Sequence, residues 1–533
     1  MATTTAHQPA IEADLEVLEA TIAAMTEAAG INPIDLDQLR AAGSDVVTQP
    51  AVVARHLTQL GFDQLRIALG LTDIEPDAKD RRFSDDWFRT NPIYRRLAQA
   101  HVANERAAGR LLSDLELDET SRLRAEFLTN IITSSLAPTN HLLGNPAALK
   151  RAWKTKGRSL VSGLRNAVDD LANNGGMPSM VDTEPFTPGE TVAATPGSVI
   201  HRNELFELIQ YTPSTEQVYE RPVFIVPPQI NKYYILDLAP GRSLAEHLVG
   251  QGQQVFMVSW RNPSARQREW DLDTYVEALM EGTEVVRTIT GSPDLNLLGV
   301  CAGGITAAAL TGYLEAIGDE RINSLNLLVT VLDWATPSTM GSFLSPAGVA
   351  VSKAQSGLTG TLSGDDLAKT FAWMRPNDLV WNYWVNNYLE GKKPAAFDVL
   401  SWNVDSTNLP TGLHHDFLGI AAGNTMTDPG ATVVLGEPID LGRFTRDSFV
   451  VGAVTDHITP WRACYQTVNH LGGSPRFVLS SQGHIQALVN PSGNPKGSFQ
   501  TNAEADATGG TDADTWLEGA HTRAGSWWDE WTE

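Results

Sequence analysis

The sequence predicts an α/β fold: a mostly parallel sheet covered on both faces, with a helical N-terminal region before it and a large insertion within it. Three observations carry this. Six short apolar runs, RPVFIVPP, QQVFMVSW, LNLLGVC, SLNLLVTVLD, SFVVGAVTD and RFVLSS, have the length and branched-residue content of buried strands. Helical segments separate them, which is the rhythm of parallel strands joined by crossovers. That rhythm breaks once, over roughly 110 residues between VLDWATP and DSFVVGAVTD, far beyond an ordinary crossover.

In chain order, residues 11–28 space their apolar groups at helical intervals and predict an amphipathic helix, whose default role is packing. From about residue 85 to 172 the chain reads as helical, most clearly in LRAEFLTNIITSSL and RSLVSGLRNAVDDLANN. The stretch NNGGMPSMVDTEPFTPGETVAATPGS is dense in Gly, Pro and Thr and marks loops, hairpins or a boundary. The long break opens with STMGSFLSPAGVAVSKAQSGLTGTLSGDD and turns aromatic in FAWMRPNDLVWNYWVNNYLEG. It reads as a cap over the carboxyl ends of the strands, where open α/β sheets place their sites.

Composition narrows the chemistry. At 533 residues the chain exceeds one ordinary core, so two domains, or one large domain with an appendage, are expected. A formal charge of -24 repels nucleic acid and anionic bilayers. Two cysteines, Cys301 and Cys464, cannot form a disulfide framework and suit a reducing cytosol. The start has no secretory pattern, and no apolar run has the length of a membrane helix, so a cytoplasmic protein without a transmembrane segment is expected. No phosphate loop, dinucleotide fingerprint or zinc motif is present, and the expectation is catalysis with no metal and no cofactor.

The pentapeptide Gly299-x-Cys301-x-Gly303 closes a predicted strand and has the form of a nucleophile elbow with sulfur in place of oxygen. Glycine flanks are needed because the turn is sharp. The amide of Ala302 then points toward the sulfur and offers one oxyanion donor. The loop VPPQINKYY offers the second; Pro227 and Pro228 have no amide hydrogen, which leaves Gln229 or Ile230, with Ile230 preferred. By itself the motif competes with a buried structural cysteine.

The rest of the sequence supplies partners in the order this fold uses, nucleophile, acid, histidine. Asp456 closes SFVVGAVTD, and His484 follows RFVLSS, each at the carboxyl end of a predicted strand. Asp456 also reads as a turn former or helix cap in DHITP. His457 competes as the base but precedes the last strand, so His484 is preferred. The pair His414 and His415 has no placement argument and reads as surface or structural. With these motifs the fold class is an α/β-hydrolase fold with a cap insertion and a helical N-terminal domain. The expected divisions are an N-terminal extension over 1–80, a helical domain over 81–195, a catalytic domain over 196–533, and the cap over 336–446 within it.

Sulfur suits a thioester substrate. A cysteine beside a histidine ionises readily, and exchange of one thioester for another keeps the acyl group activated. An alcohol can then accept it, with histidine as base, provided water is excluded. The residues alone therefore point to acyl transfer from a thioester through a covalent cysteine intermediate.

The segments PPQINKYYILDLAPGRSLAEHLVGQGQQVFMVSWRNP, GVCAGGITAAAL, FAWMRPNDLVWNYWVNNYL, WNVDSTNLP and DHITPW…GGSPRFVLSSQGHIQALVNP closely resemble the polyhydroxyalkanoate synthases, from about residue 85 to the Trp-rich end GSWWDEWTE. The wording is nearer to the class II type, which acts on medium-length monomers, than to class I. The resemblance implies polymerisation of (R)-3-hydroxyacyl-CoA into a polyester with release of CoA. It implies Cys301 as the residue holding the growing chain, His484 as base, Asp456 as its partner and His457 as an auxiliary. It further implies homodimerisation and attachment to cytoplasmic polymer granules. Residues 1 to about 60, remote from every motif, are expected to be dispensable for the chemistry.

Overall fold

The computed structural model describes residues 49–532, and the helix expected over 11–28 lies outside them. The chain forms two compact units. One holds the described residues up to Asp182 together with Lys369–Ala396; the other holds Thr183–Ala368 and the residues from Phe397 onward.

The first unit is helical. Helices α1 (Pro50–Leu69), α2 (Pro92–Asp114), α3 (Glu119–Ser135), α4 (Pro146–Lys154) and α5 (Arg158–Asn173) follow one another. Their starts are written in the sequence. Asn91-Pro92 and Asn145-Pro146 each place a capping amide oxygen before a proline whose missing N–H costs the first turn nothing. Asp118 caps α3 by accepting from the Ser121 amide at 3.0 Å. Helix α1 buries His56 and Ile67, and His56 Nε2 lies 2.9 Å from Asp114 Oδ2 at the end of α2.

The aromatic stretch of the insertion, residues 369–396, packs within this helical unit. It threads close to α5. A Cβ at Gly163 would stand 1.9 Å from the Tyr388 carbonyl oxygen, so only hydrogen fits there. Asn166 donates its amide to the carbonyls of Asn387 and Lys392, both at 3.0 Å, and the Tyr388 hydroxyl donates to Asp170 at 2.8 Å.

The second unit is built on a ten-stranded sheet of β1 (Gly197–Arg202), β2 (Phe206–Tyr211), β3 (Val223–Val226), β4 (Val255–Trp260), β5 (Leu295–Val300), β6 (Ile322–Leu328), β7 (Asp447–Ala453), β8 (Arg476–Ser480), β9 (Ser498–Thr501) and β10 (His521–Ala524). Their spatial order is β1-β2-β4-β3-β5-β6-β7-β8-β9-β10. Strands β3 to β8 are parallel to their neighbours within that set. Antiparallel strands extend it at both ends, β1 and β2 beside β4, and β9 and β10 beside β8. The six central strands are the six apolar runs. The four outer ones mix polar and apolar residues and carry no uninterrupted apolar signal.

Buried side chains cover both faces of the sheet, as a parallel sheet requires. Helices α6 (Leu244–Gly250), α7 (Leu272–Thr290) and α8 (Ala302–Ile317) follow β3, β4 and β5 in turn. Part of the insertion between β6 and β7 belongs to this unit, including α9 (Pro346–Thr359) and α10 (Thr411–Gly423). They join through His414, whose Nδ1 lies 2.9 Å from Ser356 Oγ. Burial, with His415 and Lys353 nearby, pushes the His414 pKa down to about 4, so this imidazole is a neutral packing group. Helices α11 (Trp461–His470), α12 (His484–Leu488) and α13 (Trp527–Thr532) follow β7, β8 and β10, and the indoles of Trp527 and Trp531 donate to the Ala487 carbonyl and Asn326 Oδ1, each at 2.8 Å. Among the described residues no helix is long and apolar enough to cross a membrane.

Candidate active site

Cys301 stands between β5 and α8 with φ 51° and ψ -122°, a conformation that costs a residue with a Cβ on the order of 1–3 kcal/mol. The surroundings hold it there. Its amide donates to the Leu328 carbonyl at 2.9 Å, and its own carbonyl accepts from the Gly304 amide at 2.9 Å and the Thr330 hydroxyl at 3.3 Å. The glycines around it are required by contact. A Cβ at Gly299 would meet the Cα of Gly304 at 2.6 Å; at Gly303 it would meet the carbonyl oxygens of Val226 and Pro227 at 2.4 Å; at Gly304 it would meet Thr330 Oγ1 at 2.0 Å. The strained turn and its tight bed are the geometry of a nucleophile elbow.

Asp456 follows β7 and His484 opens α12 after β8, so both lie at carboxyl ends of strands, the same edge as Cys301. Asp456 Oδ2 lies 2.6 Å from His484 Nδ1, with the carboxylate fully shielded and the imidazole 8% exposed. The turn-former reading of Asp456 holds as well: its Oδ1 accepts from the amides of Ile458 at 2.8 Å and Thr459 at 2.9 Å. One carboxylate oxygen fixes its own loop while the other faces the imidazole. Burial alone would raise the Asp456 pKa, but the His484 imidazole and the Thr459 hydrogen bonds outweigh it and hold it below the usual carboxylate range.

Burial alone would likewise lower the His484 pKa. The Asp456 carboxylate overcomes this by its charge and its hydrogen bond to the imidazole, with a smaller contribution from Cys301, and the pKa is pushed up to about 10. Imidazole and carboxylate are in direct contact, and Cys301 stands at the same edge of the sheet. His457, next to Asp456 in sequence, is half-buried.

Thr459 is the residue that the sequence reading overlooked. Its hydroxyl donates to Asp456 Oδ2 at 2.7 Å and lies 3.0 Å from His484 Nδ1, so it braces both partners from below. The signal was present in DHITP, where a hydroxyl three residues after the acid sits on the same turn. The second cysteine is of the other kind. Cys464 on α11 is fully buried, its Sγ contacts the Thr459 carbonyl at 3.5 Å, and burial pushes its thiol well above the ordinary range. Cys301, by contrast, is half-buried.

The loop after β3 lies directly against the elbow, since the carbonyls of Val226 and Pro227 are what Gly303 makes room for. Trp260 Nε1 ties down the Pro227 carbonyl at 2.8 Å, Gln229 Nε2 donates to Thr306 Oγ1 on α8 at 2.8 Å, and the Ile230 carbonyl accepts from the Thr407 amide at 3.1 Å. Ala302 is the first residue of α8, where an amide has no acceptor within the helix.

The pattern of the family described as poly-beta-hydroxybutyrate polymerase (PhaC) N-terminus matches residues 79–248, and that of the alpha/beta hydrolase fold matches residues 222–491. Poly(3-hydroxyalkanoate) polymerase 1 of Ectopseudomonas oleovorans is 44% identical over 94% of this chain and 90% of its own length. The chain belongs to the poly(3-hydroxyalkanoate) polymerase family. Polymerase 2 of the same organism is 46% identical over 93% of this chain and 88% of its own length. The polymerase subunit PhaC of Cupriavidus necator is 40% identical over 87% and 79%. Among solved structures, the monoglyceride lipase of Saccharomyces cerevisiae is similar at 10% identity and a TM-score of 0.34, covering 56% of this chain and 90% of that one. The hydrolase match encloses Cys301, Asp456 and His484, and the two matches overlap across the loop that carries Ile230.

Proposed function

We propose that this protein polymerises (R)-3-hydroxyacyl-CoA thioesters into a polyester, with Cys301 as nucleophile, His484 as proton carrier and Asp456 as the group that orients and charges the imidazole. The observation that carries the proposal is the buried 2.6 Å contact between Asp456 and His484, at the same strand edge as a cysteine held at positive φ. The polymerase names of its relatives supply the substrate class.

In the first half-reaction the Cys301 thiol gives its proton to His484. The sulfur attacks the thioester carbonyl, the bond to CoA sulfur breaks, and the imidazolium returns the proton to the leaving thiolate. Free CoA and an acyl-enzyme thioester result. In the second, His484 takes the proton of a hydroxyacyl hydroxyl, that oxygen attacks the enzyme thioester, and an ester forms as Cys301 recovers its proton. The amides of Ala302 and Ile230 receive the developing oxyanion. A thioester-for-thioester exchange conserves the activation that the ester-forming step consumes. His457 assists from beside the acid. No metal or cofactor enters any step.

In line with the family resemblance, we also propose a homodimer working at the surface of cytoplasmic polymer granules. Light scattering of the purified protein and fractionation of polymer-laden cells test these two assignments.

The deciding experiment incubates the protein with (R)-3-hydroxybutyryl-CoA and (R)-3-hydroxydecanoyl-CoA in turn. The expected products are CoA and polyester from at least one of them. CoA accompanied only by free hydroxy acid would make water the acceptor and the protein a thioesterase, and survival of CoA release in Cys301→Ala would overturn the nucleophile.

A further inference from the structure

Helix α5 is amphipathic, but the described fold uses its polar side. Ser159, Gly163, Asn166 and Asp170 face inward onto residues 387–392. The apolar stripe points out: Val161 is 71% exposed, Leu164 68%, Val168 59% and Leu171 74%. Their spacing of three, four and three is that of alternating a and d positions in a heptad. In that register Arg158 and Arg165, both exposed, occupy successive e positions. An outward seam with basic flanks, on a helix whose inner face is already satisfied, is built to receive a second helix.

We propose that the occupant is this chain's own segment around residues 11–25. Its residues Ile11, Leu15, Leu18, Ile22 and Met25 repeat at intervals of four, three, four and three, the complementary seam. Glu12 and Glu19 fall on its e positions. In an antiparallel pair e faces e, which sets Arg158 against Glu19 and Arg165 against Glu12 with the same seven-residue period on both sides. Residues 1–39 carry seven acidic side chains and no lysine or arginine, so the whole segment complements the basic flank. A second copy of α5 is the poorer occupant, because the same antiparallel packing sets arginine against arginine. Reach is no obstacle: the twenty-one residues 29–49 span up to ~70 Å when extended, against a helix of ~24 Å. Tethering holds the segment at an effective concentration on the order of millimolar, enough for a two-heptad seam that would not pair as free peptides.

Amide exchange on the full-length protein, read by mass spectrometry over residues 12–25, tests this. The expected result is protection in the wild type that is independent of protein concentration. Exchange should be about tenfold faster in Arg158→Glu/Arg165→Glu, and protection should return when Glu12→Arg/Glu19→Arg is added to that variant. Far-UV circular dichroism of each variant keeps a folding defect distinct from a lost contact. Equal exchange in the wild type and the reversed-charge variant overturns the proposal. So does failure of the combined charge swap to restore protection, and so does protection that falls on dilution, which would place the segment on another copy.

Discussion

At the scale of single residues, Cys301 is set apart from Cys464 by backbone and burial together. One is held at φ 51° beside an imidazole; the other is sealed in the core with its thiol pushed well up. Cys301→Ala is expected to abolish CoA release with both acyl-CoA substrates while leaving the melting temperature near that of the wild type. Asp456→Asn is expected to lower turnover by about 10²–10⁴, because the imidazole loses its orientation and charge partner but is still present, whereas His484→Ala should lower it further. Thr459→Val removes one hydroxyl from the brace and should slow turnover by about tenfold with little change in KM, measured as CoA release under saturating substrate. The His484 pKa, raised from 6.5 to about 10, gives a stabilisation that is complete below pH 6.5 and lost as pH climbs through 10. The Asp456 pKa is lowered from 3.8, so its contribution is present above 3.8 and lost as pH falls below that value. The gap in melting temperature between wild type and Asp456→Asn should accordingly be widest between these limits, near pH 5, and close toward pH 10 in thermal melts.

At the scale of elements, the elbow is a junction of three pieces of chain that glycine allows to touch. Gly303→Ala or Gly304→Ala drives a methyl into backbone carbonyls or into Thr330, and each is expected to cost about 1–3 kcal/mol in denaturant unfolding, with activity lost more completely than stability. The six parallel strands were legible because a strand buried on both faces must be apolar throughout. Strands β1, β2, β9 and β10 were not, because outer antiparallel strands bury one face at most and their side chains follow their neighbours. Strand β1 has most of its residues exposed, and β10 all of them. The helix starts of the N-terminal unit were legible through their caps, but which side of α5 would be buried was not. Its apolar periodicity indicates one face, and contact with Tyr388 and Asn387 uses the other.

At the scale of the whole molecule, the described fold begins at α1, whose His56 and Ile67 are buried against the helical unit. Removing residues 1–48 should leave the initial rate of CoA release close to that of the full chain, whereas a cut within α1 should lower the melting temperature of the protein; calorimetry and a CoA assay on the two truncations check this. Taken alone, the sequence determined the parallel core, the edge of the sheet at which Cys301, Asp456 and His484 stand, and the order of the three along the chain. These follow from local rules: apolar runs become buried strands, and a polar residue at a strand's carboxyl end emerges at one rim. Only the tertiary structure decided that Asp456 would bond His484 rather than lie beside His457 alone, that Thr459 would brace the pair, and that residues 369–396 would pack with the helical unit. Those outcomes depend on distances between segments far apart in sequence, fixed by how side chains fill the space between them, and no local pattern encodes a distance.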